Sequence, residues 1–340
     1  MKRILVIRID FLGDMVCTTP LLRGLKQRWP EAEIHVLANK YNRAILERNP
    51  DVSAIHTYVY SKQCERNLRP GKLNALLDRF SLIWRLRRLK FDLLIVPNGG
   101  THKNSIQFAR QLNVKDCRWH DADTEFDDRK PEHAACRPIR HEVLSGFRLM
   151  PELGRVDIEA LRLHIYPARE LRTKWEMELG PKNRARVGLF VSNKAVERRW
   201  HERKWRQLAL AMSDRAEVLI FHDPLDDQAD VREAEATARY FAPASVPDLI
   251  AAMSLLDIVV SADSAPVHLA AALQLPIVAL FEDRPEKYLR WHPLGVRHAL
   301  LRAGPRVDGI AVEAVEEAIV GLLDERTPAC EPSPDRLSQR

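Results

Sequence analysis

The chain has 340 residues, 46% of them apolar and 29% charged, which suits two globular domains with real cores. Only 7% are aromatic and 13 residues are glycine, which argues against a β-propeller or a glycine-rich fibre. The net charge of +6 favours an anionic partner (nucleic acid, a phosphorylated substrate or an acidic membrane surface) without choosing among them.

No apolar run approaches the length of a membrane span. The opening Met1–Arg8 is too short and too soon interrupted by charge for a signal peptide. Five cysteines form no disulfide scaffold, so a reducing cytoplasm is the expected compartment.

Lys2–Ile9 is an almost continuous apolar run, the pattern of a buried parallel strand. Phe11–Asp14 reads as a tight loop. Met15–Trp29 reads as a helix, with Val16, Leu21, Leu22, Leu25 and Trp29 at helical spacing and Pro30 as its stop. Strands follow at Glu33–Asn39 and Phe91–Pro97, with a helix over Leu73–Lys90 between them. Asp116–Arg140 is polar and aperiodic and reads as a loop. Pro167–Pro181 holds a short helix and the domain junction. The alternation then restarts, with strands at Val187–Ser192, Glu217–Phe221, Asp257–Ala262 and Pro276–Phe281. Helices are expected at Glu202–Met212, Asp227–Tyr240, Pro247–Leu256, Pro266–Leu273 and Val312–Leu323. This is an α/β pattern of two successive parallel-sheet halves. Their ligand belongs in the cleft between them, at the carboxyl ends of the strands. The division expected is residues 1–168, 169–326 and a proline-rich, disordered tail at 327–340.

Three groups of residues carry candidate chemistry. Arg8-Ile9-Asp10-Phe11-Leu12-Gly13-Asp14 brings a strand through a glycine to an acid at a helix start, where the dipole favours a carboxylate. The plain reading is a helix cap. The functional one is Asp14 aimed into the cleft, able to take a proton from an attacking hydroxyl. Asp10 and Gly13 are candidate acceptor or glycine-turn contacts beside it. In the second group a strand runs into Asp263-Ser264-Ala265-Pro266-Val267-His268. Proline in the first turn and the unpaired amides there make an anion site, with Asp263, Ser264 and His268 close by. In the third group, Arg198 and Arg199 lie in a basic run between a strand and a helix, and guanidiniums suit a diphosphate. No G-x-G-x-x-G follows the first strand and no P-loop is present, which removes most support for dinucleotide or NTPase chemistry.

These groups stand in the order and spacing of a known family. Arg8–Arg23 matches R-x-D-x-x-G-D…T-T-P-L-L-R. Asp263–Phe281 matches D-S-x-x-x-H-L-A-A-A-L…P-x-V-A-L-F, followed by Trp291-His292-Pro293-Leu294-Gly295. Arg198-Arg199-Trp200…Trp205 is similar to its K-R-W-P segment, and Phe91–Ile95 and His141–Leu144 to its intermediate landmarks. The chain resembles glycosyltransferase family 9, the lipopolysaccharide core heptosyltransferases, over residues 2–322.

The resemblance implies a GT-B fold, with two Rossmann-like domains whose parallel sheets face across a cleft. The N-terminal domain would serve the acceptor and the C-terminal domain the nucleotide sugar. It implies an inverting, metal-independent transfer of heptose from ADP-L-glycero-D-manno-heptose to the inner core on lipid A, with no cofactor. The protein would work at the cytoplasmic face of the inner membrane, where peripheral contact with it is open. By motif, Asp14 becomes the base, Asp263 and His268 the donor-site pair, and Arg198 the phosphate contact, with Arg199 close behind. Ser264 and Ala265 flank the donor. Ala265 and Glu282 stand where the family commonly has glycine, and His201 where it has proline.

Other signals carry less. Cys117-x2-His120 and His133-x2-Cys136 have zinc-like spacing, and Asp121-Ala122-Asp123 resembles a D-x-D metal motif, but their acidic, irregular segment argues against a metal. Ser81–Lys90 is a basic amphipathic helix, read first as core packing with a solvated face and second as a contact for anionic lipid or acidic core sugars. No nucleic-acid module is present. The alternatives within reach are another nucleotide sugar on a surface glycan, a non-catalytic nucleotide-sugar or glycan binder, and a basic surface protein for anionic lipid or nucleic acid.

Overall fold

The computed structural model describes residues 1–120, 139–224 and 238–324. They form two sheets, each with every strand parallel. The first has the order β3-β2-β1-β4-β5, made of β1 Arg3–Arg8, β2 Glu33–Ala38, β3 Ala54–Thr57, β4 Leu93–Val96 and β5 Asp116–Trp119. The second has the order β11-β10-β9-β6-β7-β8. Its strands are β6 Arg186–Phe190, β7 Glu217–Phe221, β8 Arg239–Phe241, β9 Ile258–Ala262, β10 Ile277–Glu282 and β11 His298–Ala303.

Both orders reverse direction next to the first strand of the sheet, between β1 and β4 and between β6 and β9. At such a reversal the crossovers leave on opposite faces and open a crevice at the carboxyl ends of the two strands. Asp10 and Asn98 lie just beyond the ends of β1 and β4. Asn193 and Asp263 lie just beyond β6 and β9. Thus the topology delivers the first and second candidate groups to the two crevices.

Helices cover both faces of each sheet. They are α1 Leu12–Arg28, α2 Lys72–Arg88, α3 Lys103–Leu112, α4 Leu144–Phe147 and α5 Arg169–Leu179, then α6 Glu202–Met212, α7 Val246–Met253, α8 Ala265–Ala272, α9 Pro285–Trp291 and α10 Val312–Asp324. Helix α5 packs on α7, where Trp175 Nε1 donates to Asp248 at 2.8 Å. So the segment beginning at Arg169 is tied to the second sheet.

The halves meet where α1 packs against α8. Helix α1 contains Pro20, which removes the amide that would bond the Val16 carbonyl. The hydroxyl of Thr19 donates to that carbonyl instead, at 2.7 Å, and accepts from the His164 amide at 2.9 Å. The Thr-Thr-Pro sequence is therefore self-consistent within a helix.

Several expectations need correction. Helix α1 starts at Leu12, so Gly13 and Asp14 are in its first turn and not in a loop. Asp116–Trp119 forms an edge strand where a loop is expected. Its mixed side chains, Asp, Cys, Arg and Trp, are all half-buried and carry no apolar run. Arg239 and Tyr240 begin a strand, not the end of a helix. Residues 227–237 of that expected helix, the tail at 327–340, and Asp121, Asp123, His133 and Cys136 lie outside the described residues.

Candidate active site

Arg8, at the end of β1, is buried and organises the N-terminal half of the site. Its Nε donates to Asp10 at 2.8 Å, its Nη1 to the Pro97 carbonyl at 3.1 Å, and its Nη2 to Asp14 at 2.5 Å and Glu142 at 2.9 Å. Burial works against the guanidinium's charge, but three carboxylates hold it protonated. Asp10 is fixed a second time by Asn98 at 2.6 Å. Burial pushes its carboxyl up against the pull of Arg8, with Asp14 and Glu142 adding to the rise.

The loop carrying Asp10 is pinned from below. Asn39 donates to the carbonyls of Ile9 and Asp10, and Asn42 to that of Arg8. Asp14 is the less buried of the two aspartates that Arg8 binds, its side chain 15% exposed against 11% for Asp10.

Glu142 joins the halves. It accepts from Arg8, from the Gly99 amide at 3.1 Å, and from Arg290 of α9 at 2.8 and 3.0 Å. Burial alone would raise its pKa. Arg290 and Arg8 overcome that and hold it at about 2. Neither Glu142 nor Arg290 stood out as a site residue in the sequence, although Glu142 lies in the landmark His141–Leu144 and Arg290 directly precedes Trp291.

On the C-terminal side, β9 delivers Asp263. Its carboxylate faces Arg198 Nη1 at 3.3 Å, and its carbonyl accepts from Asn193 at 3.0 Å. Burial raises the Asp263 carboxyl. Arg198 and Lys287 pull it down, and Glu282 and Asp14 push it back up.

Arg198 also faces Glu282 at 3.8 Å, and its Nε is buried with no hydrogen-bond partner among the described residues. Arg199 turns elsewhere, donating to the Asn193 carbonyl at 2.7 Å. Of the two arginines, Arg198 is therefore the one beside Asp263. His201 caps α6 by accepting from the Arg203 amide, and Trp200 and Trp205 pack edge-on in the core, so much of this basic run is structural.

Ser264 does not cap α8. Its hydroxyl donates to the Ala262 carbonyl at 3.0 Å. Pro266 has no amide hydrogen and the Val267 amide donates to the Ser264 carbonyl at 3.2 Å, so the helix start presents the Ala265 amide. His268, one turn on, is buried between Gly13, Cys17 and Trp291. Burial and then His292 lower its pKa to about 4, so the imidazole is neutral. Gly13 is helical and gives this imidazole room. It is not a turn glycine.

Among the described residues no group of three His, Cys, Asp or Glu is arranged to hold a metal ion. His120 bonds the Ser145 carbonyl and Cys117 the Val114 carbonyl, each a structural role. No helix among the described residues is long and apolar enough to cross a membrane.

Comparison with known proteins agrees with this geometry. The model of glycosyltransferase family 9 (heptosyltransferase) matches residues 79–312, well over half the chain. The chain belongs to that family. A lipopolysaccharide heptosyltransferase 3 of Escherichia coli is 25% identical over 83% of this chain and 84% of its own length. The crystal structure of a family 9 glycosyltransferase from Veillonella parvula superposes with a TM-score of 0.77, at 20% identity, over 95% of this chain and 97% of that one. The E. coli ADP-heptose LPS heptosyltransferase II superposes at 0.72, also at 20% identity, over 96% and 100%. The fold is GT-B and the protein is a glycosyltransferase.

Proposed function

We propose that this enzyme moves a heptose from ADP-L-glycero-D-manno-heptose to the lipopolysaccharide inner core, with inversion and without a metal, at the cytoplasmic face of the inner membrane. The observation that carries the reading is the meeting of two unlike half-sites. An acid at the start of α1 stands opposite an arginine and an uncapped helix start at α8. Lipopolysaccharide heptosyltransferases among its relatives, and an ADP-heptose enzyme among its structural neighbours, supply the sugar, the nucleotide and the acceptor class.

In this mechanism the donor diphosphate lies against Arg198 and the Ala265 amide at the start of α8. Negative charge grows on the leaving phosphate as the glycosidic bond breaks, and fixed donors there stabilise it without reorganising. Asp14 takes the proton of the acceptor hydroxyl from the opposite face of the sugar. Arg8 Nη2 holds that carboxylate in place. Asp263 positions Arg198 and meets hydroxyls of the donor. His268 is neutral and packs the base of the cleft. One displacement from the opposite face inverts the anomeric centre and needs no covalent intermediate. The division at residues 168/169 belongs to the same proposal, with the acceptor on the N-terminal half and the donor on the C-terminal half.

The test is a calorimetric titration with ADP-heptose, ADP, UDP and GDP. Preference for ADP and ADP-heptose is expected. Preference for UDP or GDP keeps the fold's chemistry and discards the heptose, with Ala265 and Glu282 as the first positions to change. Absence of binding to all four sinks the donor assignment.

A further inference from the structure

Helix α2 has two apolar faces. Ala75, Leu82 and Leu86 are buried, and the two leucines join the core that also holds Leu5, Ile7, Leu94 and Phe108. Leu73, Leu76, Leu77, Phe80 and Trp84 fall on the opposite side and are exposed, Leu73 at 78% and Phe80 at 72%. At 3.6 residues per turn these five positions form one narrow stripe, about 17 Å long. Scattered exposed leucines need no explanation, but a continuous row with two aromatics marks a contact surface.

The stripe is set in positive charge. Residues 62–90 contain nine basic and two acidic residues, a surplus greater than that of the whole chain. Asp78 is paired with Arg69, and Arg79 turns inward over Tyr58 and Phe108. Lys72, Arg85, Arg87, Arg88 and Lys90 remain exposed, and Arg88 lies 4.6 Å over the Trp84 ring.

The stripe also starts at the rim of the site. Tyr60 donates to the Ile9 carbonyl beside Asp10, and Asn67 closes the intervening loop with two bonds to Tyr60. Exposed Leu68 follows, and α2 begins four residues later. Phe11, 79% exposed, stands at the same edge of the sheet.

We propose that this face of α2 docks the enzyme on an anionic phospholipid bilayer. The apolar row enters the acyl boundary and the flanking cations lie among the headgroups. The inference rests on the reading of a lipid-anchored acceptor and gives it a geometry, since docking here holds the start of α1 towards a sugar at the membrane surface.

The test is co-sedimentation of the full-length protein with vesicles of phosphatidylcholine plus phosphatidylglycerol, and with pure phosphatidylcholine. The wild type is expected to bind the anionic vesicles preferentially and to release them as salt rises. Phe80→Glu/Trp84→Glu, and separately Arg85→Glu/Arg88→Glu, should each lower the bound-to-free ratio about tenfold or more. ADP titration should be unchanged in both. Equal binding to both vesicle types, or variants that bind like the wild type, overturns the proposal. So does a solution dimer that Phe80→Glu alone splits, because the stripe is then a contact between copies. Vesicle binding that persists in a protein indifferent to ADP-heptose upholds the docking face and overturns only the donor assignment.

Discussion

Gly13 and His268 meet across the two halves of the molecule: a Cβ on Gly13 would lie 2.6 Å from Cδ2 of the imidazole. The ring is buried, so it has little room to withdraw. Gly13→Ala gains about 1 kcal/mol in helix propensity and loses about 1–3 kcal/mol to overpacking. The expected outcome is a net loss of about 1 kcal/mol in urea unfolding and a fall in turnover as α1 shifts from α8. Adding His268→Ala should make the Gly13→Ala change neutral or favourable. A Gly13→Ala variant whose turnover matches the wild type contradicts this account of the contact.

Glu142 is a carboxylate shared by an arginine from each half. Glu142→Gln removes the buried negative charge that Arg8 and Arg290 both bind and is expected to cost about 3 kcal/mol, read by chemical denaturation. The pH dependence has a defined sign. A carboxyl held at about 2 in the fold against its ordinary 4.5 adds stability above pH 4.5, and that stability is lost as the pH falls through about 2. The variant should lose this acid-side slope.

His141 supplies a second pH-dependent element. It is buried, with His292 beside it, and its pKa is lowered from 6.5 to about 3. The fold binds the neutral ring, so stability is fully present above pH 6.5 and falls as the pH drops from 6.5 towards 3. His141→Asn should reduce the slope of unfolding free energy against pH in that window by about 1.4 kcal/mol per pH unit. An unchanged slope would show that His141 is protonated in the folded protein.

Arg198 and Arg199 are adjacent, yet only Arg198 lies beside Asp263. Arg198→Ala is expected to weaken ADP binding about ten- to hundredfold, the worth of charge-assisted hydrogen bonds to phosphate. Arg199→Ala should change it by less than about threefold. Equal effects in a titration with ADP would mean that the two side chains exchange roles when nucleotide binds.

The parts of the fold legible in the sequence are those buried on both faces. Strands β1, β2, β4, β6, β7, β9 and β10 read as apolar runs because parallel strands covered by helices need no polar face. Edge strands β3 and β5 are half-buried, with sequences such as Ala-Ile-His-Thr that alternate weakly, and neither was legible. Asp14, Asp263 and His268 stand out because strand-to-helix junctions have recognisable residues. The Arg8–Glu142–Arg290 bridge was hidden, since its bonds span 134 and 148 residues and no local pattern encodes them. The exposed stripe on α2 was not legible for a related reason. Its residues have ordinary helical spacing, and only the packed structure shows which of two apolar faces the core takes.

The most direct measurement is heptosyl transfer by Asp14→Asn alongside its affinity for ADP. Asparagine keeps the size of the side chain and its place beside Arg8 but cannot accept the acceptor's proton. The account predicts a fall in turnover of about 10²–10⁴-fold with ADP affinity within about threefold of the wild type. Turnover that survives the substitution would remove Asp14 as the base and contradict the mechanism at its centre.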